Sequence, residues 1–116
     1  MTVINLGDHA VIHWENKSFT LAERPLFLEK SAALLNGTKK DLLIEFSGLE
    51  FLNAGGIGTL VAAYKHVAPR GGSVTLCALP GHLRFLFSLT NTEQFFKFAE
   101  SLEEVDSRRS PRQAAG

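Results

Sequence analysis

The chain of 116 residues has one cysteine, no excess of charge of either sign, and no long hydrophobic run. A single cysteine, Cys77, excludes a disulfide within the chain and is typical of a reducing compartment. Twelve basic and twelve acidic side chains cancel, so no net field would recruit nucleic acid or an anionic membrane. No stretch reaches the roughly 18 apolar residues of a membrane span, and the first residues do not resemble a secretory signal. We therefore expect a cytoplasmic protein without nucleic-acid binding or membrane insertion.

The sequence also lacks a recognisable catalytic or metal-binding set. His9 and His13 are four positions apart, which is roughly 13 Å along a strand and too far for shared ligation. Cys77 lies among apolar residues and is typical of a packed small hydrophobe. His82 has no evident serine or cysteine partner. We expect no enzyme, no metal and no cofactor.

The first third of the chain predicts a hairpin followed by a helix. Thr2–Leu6 is a candidate edge strand, and 9–15 alternates with Ala10, Ile12 and Trp14 on one face. Thr20-Leu21-Ala22-Glu23 fits a capping box. The helix after it should begin at Arg24 or Pro25 and end at Asn36-Gly37.

The rest of the chain alternates buried strands with helices. The runs 41–46 and 73–79 read as parallel strands covered on both faces. Helices are predicted after a glycine-rich turn, over 82–89, and over 101–105, with a short strand over 95–98. We predict an α/β fold in one domain (1–106), a small mixed β-sheet of about four to five strands packed with about four helices. Residues 107–116 are predicted to be a disordered tail.

Ser47–Tyr64 is the most informative stretch, because a strand ends there, four glycines fall within eleven residues, and a helix begins. The stretch is neither GxGxxG nor a P-loop. Two interpretations stay open for the glycines: a sharp turn with close packing of the helix, or a docking site for a partner. Asn53 can cap the helix under both, and 53–56 contains no nucleophile, acid or base.

Partners of such sheets bind beyond the carboxyl ends of the parallel strands. Two loops, 52–58 and 79–83, are therefore the candidate sites. The predicted partner-binding residues are Leu52, Asn53, Ala54, Gly55, Gly56, Ile57, Thr59, Pro80, Gly81 and His82.

The stretch from Asp41 to Gly58, DLLIEFSGLEFLNAGGIG, resembles the STAS domain, named for sulfate transporters and anti-sigma-factor antagonists. The family pattern is a hydrophobic strand, a leucine, an aromatic residue, and then Asp-Ser-Ser-Gly-Leu-Gly opening a helix. Gly71–Ala78 and Leu83–Thr90 are similar to later family segments. The resemblance covers roughly 1–106 and is strongest over 41–98.

The resemblance implies a non-enzymatic module that binds a protein partner, in which a kinase partner phosphorylates a serine at the helix start. This sequence has Asn53-Ala54-Gly55 where the family has Asp-Ser-Ser. The phosphoacceptor position falls on Ala54 or Gly55, and neither has a hydroxyl. Thr59 is the nearest hydroxyl and is the remaining candidate phosphoacceptor.

Three functions stay open, the first two implied by the resemblance and the third by the neutral, hydroxyl-free loop at the helix start. The first is a bacterial signalling module like an anti-sigma-factor antagonist, regulating transcription through an anti-sigma factor or serine-kinase-like protein and not switched at the usual site. The second is a STAS subunit of a phospholipid-transporting ABC system that binds its ATPase. The third is a nucleotide- or lipid-sensing domain. Self-association as a homodimer stays open.

Overall fold

A computed structural model describes residues 2–6, 9–35 and 40–105. For residues 2–6 it describes the backbone only. The elements in chain order are β1 (Thr2–Leu6), β2 (His9–His13), β3 (Ser18–Phe19), α1 (Arg24–Leu34), β4 (Asp41–Glu45), β5 (Phe51–Leu52), α2 (Ala54–Val67), β6 (Val74–Cys77), α3 (Gly81–Leu89) and β7 (Lys97–Ala99). Residues 102–105 are also helical. The predicted helix stop at Asn36-Gly37 and the predicted tail 107–116 lie outside the described residues.

Five strands form one mixed sheet in the order β1-β2-β4-β6-β7. β1 and β2 form the predicted antiparallel hairpin, and the other neighbours are parallel. Ala10 pairs with Leu42, and Leu42 with Val74, so the register aligns the central strands. The predicted α/β fold with a small mixed sheet is confirmed.

The two faces of the sheet are covered unequally. Ala10, Ile12 and Trp14 pack with the buried residues of α1, α2 and α3 in the larger core. Val11 and Leu43 point to the opposite face, where a smaller cluster includes Cys77, Ala99 and Val105. The helical residues 102–105 therefore cover the face that the three longer helices leave open. This explains why β4 is apolar on both sides.

Four aromatic side chains fill the core at the start of α1. Trp14, Phe19, Phe27 and Phe46 are buried and meet edge to face, with ring centroids 4.9 Å apart for Trp14 and Phe19 and 5.4 Å apart for Phe19 and Phe46. Edge-to-face packing is the favoured geometry for such rings. The cluster fixes β3 against the sheet and so fixes the segment on which α2 begins.

The structure differs from the sequence prediction at two short strands. β3 and β5 form a separate two-stranded parallel sheet, and the sequence analysis predicts a strand at neither position. Strands of two residues are too short for a period of two to be visible. β7 begins later than predicted because Glu93–Phe95 form a 3-10 turn. No helix in the described part of the chain is long and apolar enough to cross a membrane.

Candidate partner-binding site

The N-terminus of α2 is held by a side-chain cap. Asn53 has an extended backbone, and its Oδ1 accepts a hydrogen bond from the Gly56 N–H at 3.0 Å. The Asn53 carbonyl accepts the first helical bond from the Ile57 N–H at 3.0 Å. The side chain thereby satisfies one of the N–H groups that a helix start leaves unpaired. The predicted cap is confirmed.

Gly55 and Gly56 allow α2 to begin in contact with the preceding part of the chain. A Cβ on Gly56 would lie 2.1 Å from the Phe19 carbonyl oxygen, and one on Gly55 would lie 2.8 Å from the Leu21 Cβ. Neither glycine has a positive φ. Close packing of the helix, and not a left-handed backbone conformation, is therefore what the structure shows to require glycine at these two positions.

Only part of the predicted 52–58 site reaches the surface. Asn53 and Ala54 are exposed and Gly55 is partly exposed, whereas Leu52, Gly56 and Ile57 are buried and support the surface from below.

Thr59 is fully buried, and its hydroxyl donates a hydrogen bond to the Gly55 carbonyl at 3.0 Å. In this arrangement Thr59 offers neither contact area to a partner nor a hydroxyl to a kinase. The sequence analysis selects Thr59 as the hydroxyl nearest the family's phosphoacceptor position, and closeness along the chain does not reveal that this side chain faces the core.

Two exposed apolar side chains beside the helix start are absent from the sequence prediction. Leu21 is 58% exposed and Phe51 is 54% exposed. Leu21 lies against Gly55, and Phe51 pairs with Ser18 in the small sheet. The sequence offers no signal for Phe51, because a strand of two apolar residues is too short to show a period of two.

An open cavity of about 500 Å³ follows the outer face of α2. The start of α1 contributes Arg24, and the loop after α3 contributes Thr90 and Thr92. Along α2 the cavity is lined by Ala54, Ile57, Gly58, Val61, Ala62 and Lys65. The predicted surface at 53–55 therefore continues along the helix.

The second predicted loop lines a different cavity. Leu79 and Pro80 are partly buried, whereas Gly81 and His82, at the start of α3, are exposed. This cavity of about 430 Å³ includes Leu79, Gly81 and Arg84, and the Arg84 guanidinium lies 4.4 Å from the centre of the Phe98 ring. The two predicted loops therefore line two different cavities of the described part of the chain.

The described residues contain no group of three or more His, Cys, Asp or Glu side chains that could hold a metal ion. Glu45 is only 9% exposed and accepts from the Ser47 hydroxyl at 3.1 Å. His13 Nδ1 lies 3.3 Å from the same carboxylate. The His13–Glu45 contact thus joins the last residues of β2 and β4, which are paired in the sheet.

A model of the STAS domain family matches residues 8–105. The chain belongs to the STAS domain family. Solved structures of similar fold come from several bacteria. An anti-sigma-factor antagonist (STAS) domain protein from Planctomyces limnophilus is 18% identical with a TM-score of 0.78, covering 92% of this chain and 95% of that one.

Two further solved structures have a similar fold. An anti-sigma factor antagonist from Mycobacterium paratuberculosis is 20% identical with a TM-score of 0.76, over 92% of this chain and 90% of that one. The Bacillus cell fate determinant SpoIIAA in its phosphorylated form is 15% identical with a TM-score of 0.70, over 93% and 98%. At these identities the similarity establishes the fold.

Proposed function

We propose that this STAS domain is a non-catalytic protein-interaction module of bacterial signalling, similar in role to an anti-sigma-factor antagonist. Its partner docks on Asn53, Ala54 and Gly55 and on the outer face of α2, with no phosphorylation switch at this point. The observation that carries the proposal is the capped, exposed and hydroxyl-free start of α2. Residues 53–58 have no hydroxyl side chain, and that of Thr59 is buried.

The physical basis of this proposal is that the surface at the start of α2 has no exposed hydroxyl that could be phosphorylated, so it gains no negative charge. A phosphate adds roughly −1.5 to −2 charges and would change a docking surface from attractive to repulsive. Where the family has Asp-Ser-Ser, this chain has a cap, an exposed methyl group and a glycine packed on Leu21. The surface keeps one charge state, so binding is controlled by the amount of partner and of STAS protein.

The first test identifies the partner and then measures its affinity. The chain is used to capture proteins from its source cells, and the captured protein is purified and titrated against it by calorimetry. Ala54→Asp places a carboxylate at the start of α2, where its negative charge interacts favourably with the helix dipole and stabilises the helix. A loss of binding would therefore not come from unfolding of α2. Ala33→Asp is the matched control, because Ala33 is exposed on α1 and does not line the cavity along α2.

We expect Ala54→Asp to weaken binding by about tenfold or more, which corresponds to about 1.4 kcal/mol, and Ala33→Asp to leave it unchanged. Equal affinities for the two variants would contradict the proposed site. Capture of an ABC ATPase instead of an anti-sigma or serine-kinase-like protein would favour the transport role. Thermal stabilisation by a nucleotide or lipid, with no protein captured, would favour the sensing role.

A further inference from the structure

The outer face of α2 is unusual for a surface helix because it carries almost no charge. From Ala54 to Tyr64 eleven consecutive residues include none that is ionisable at neutral pH. One face is buried in the core through Ile57, Leu60 and Ala63. A helix that is apolar on all sides is normally buried on all sides. We therefore expect another molecule to cover the outer face of α2.

The groove has a defined length. Ala54 in the first turn and Lys65 in the last turn both line it, and eleven residue steps along a helix cover about 16 Å. That length matches about three turns of a second helix. Gly58 lies between them, and a Cβ there would have no neighbour within 4 Å, so this glycine leaves space that the fold itself does not use.

The charges around the groove indicate the chemistry of the occupant. Arg24 and Lys65 line the cavity, and no carboxylate does. Among the described residues, no acidic side chain lies within ion-pair distance of either cation. The remaining polar side chains of the lining, Thr90 and Thr92, are neutral. Their hydroxyls are 2.8 Å apart and hydrogen-bonded to each other.

We infer that the groove along α2 receives an acidic amphipathic helix of the protein partner, with small apolar residues against Gly58 and Ala62 and carboxylates beside Arg24 and Lys65. This inference rests on the proposed function and specifies the partner segment. The end of this chain, 107–116, is a poor candidate because it has three arginines and no acid, the same sign as the groove.

The test uses the sign of one charge at one position. Ala62→Lys and Ala62→Glu place side chains of comparable size in the groove, so both crowd it equally while their charges differ. The same two replacements at Ala33 are the control for net charge. Each full-length variant is titrated with the purified partner, and its thermal unfolding is measured alone to show that it is folded.

We expect Ala62→Lys to bind the partner about tenfold or more tightly than Ala62→Glu, because an acidic helix is attracted by one and repelled by the other. The two Ala33 variants should agree within about twofold. Equal affinities for the Ala62 pair, or tighter binding by Ala62→Glu, would overturn the inference. If Ala54→Asp still blocked binding, the proposed function would stand without it; if neither position mattered, both would fail.

A photo-crosslinking amino acid at position 62 identifies the occupant directly. Mass spectrometry of the crosslinked complex should give a partner segment rich in glutamate or aspartate. A crosslink to a neutral or basic segment, or to a second copy of this chain, would overturn the inference. The same crosslinker at position 33 should give no such product.

Discussion

Gly56 lies against the carbonyl oxygen of Phe19 so closely that a Cβ would be only 2.1 Å from it. The contact joins the start of α2 to β3, and β3 is held in turn by the aromatic cluster around Phe19. The shape of the proposed docking surface is therefore set by the packing beneath it. Gly55 and Gly56 are required at this surface because a Cβ at either position would meet neighbouring atoms, whereas a Cβ at Gly58 would meet none within 4 Å.

Gly56→Ala and Gly58→Ala should change stability in opposite directions. At position 56 the added methyl group collides with backbone, and overpacking of this kind costs about 1–3 kcal/mol. At position 58 the methyl group meets open space, and alanine is favoured over glycine in a helix by up to about 1 kcal/mol. Urea unfolding of the two variants measures both effects. A stability for Gly56→Ala equal to that of the wild type would refute the close contact.

Asn53→Ala should lower stability by about 1 kcal/mol, because the Gly56 N–H loses its side-chain acceptor. Asn53→Asp keeps an oxygen at the cap and adds a negative charge at the positive end of the helix. It should be at least as stable as the wild type at neutral pH. Thermal unfolding compares the three proteins. Equal melting temperatures for the wild type and Asn53→Ala would show that the cap contributes nothing.

Phe19→Ala should destabilise the domain by about 3–5 kcal/mol, the usual range for removing a buried phenylalanine. Phe19 is fully buried between Trp14, Phe27 and Phe46. Phe85→Ala is the matched control, since Phe85 is 60% exposed and its loss should cost less than about 0.5 kcal/mol. Denaturant titration measures both. Similar costs for the two changes would contradict the assigned core.

The fold could be predicted from local patterns in the sequence. The capping box at Thr20 and Glu23 is present, and α1 begins at Arg24 as its Pro25 indicates. The apolar run after Asp41 forms a central strand. These signals are local, since each depends on neighbouring residues or on one period.

The site could be predicted only in part, because exposure depends on contacts between distant segments. The sequence places Asn53 and Ala54 at a helix start, but it does not show that Thr59 faces the core. Leu21 reaches the site through its contact with Gly55, and Phe51 belongs to the β3–β5 pairing, which two-residue strands do not reveal in the sequence. The charge pattern of the groove likewise needs Arg24, which comes from α1.

The central claim is that this surface binds its partner without a phosphorylation switch. The most direct measurement incubates the purified chain with its partner, ATP and Mg²⁺, and then records the intact mass and the partner affinity. Ala54→Ser restores an exposed hydroxyl and is the comparison variant for phosphate transfer. We predict that the wild type keeps its mass and its affinity unchanged. A phosphate added in good yield to the wild type, with a fall in affinity, would contradict the account.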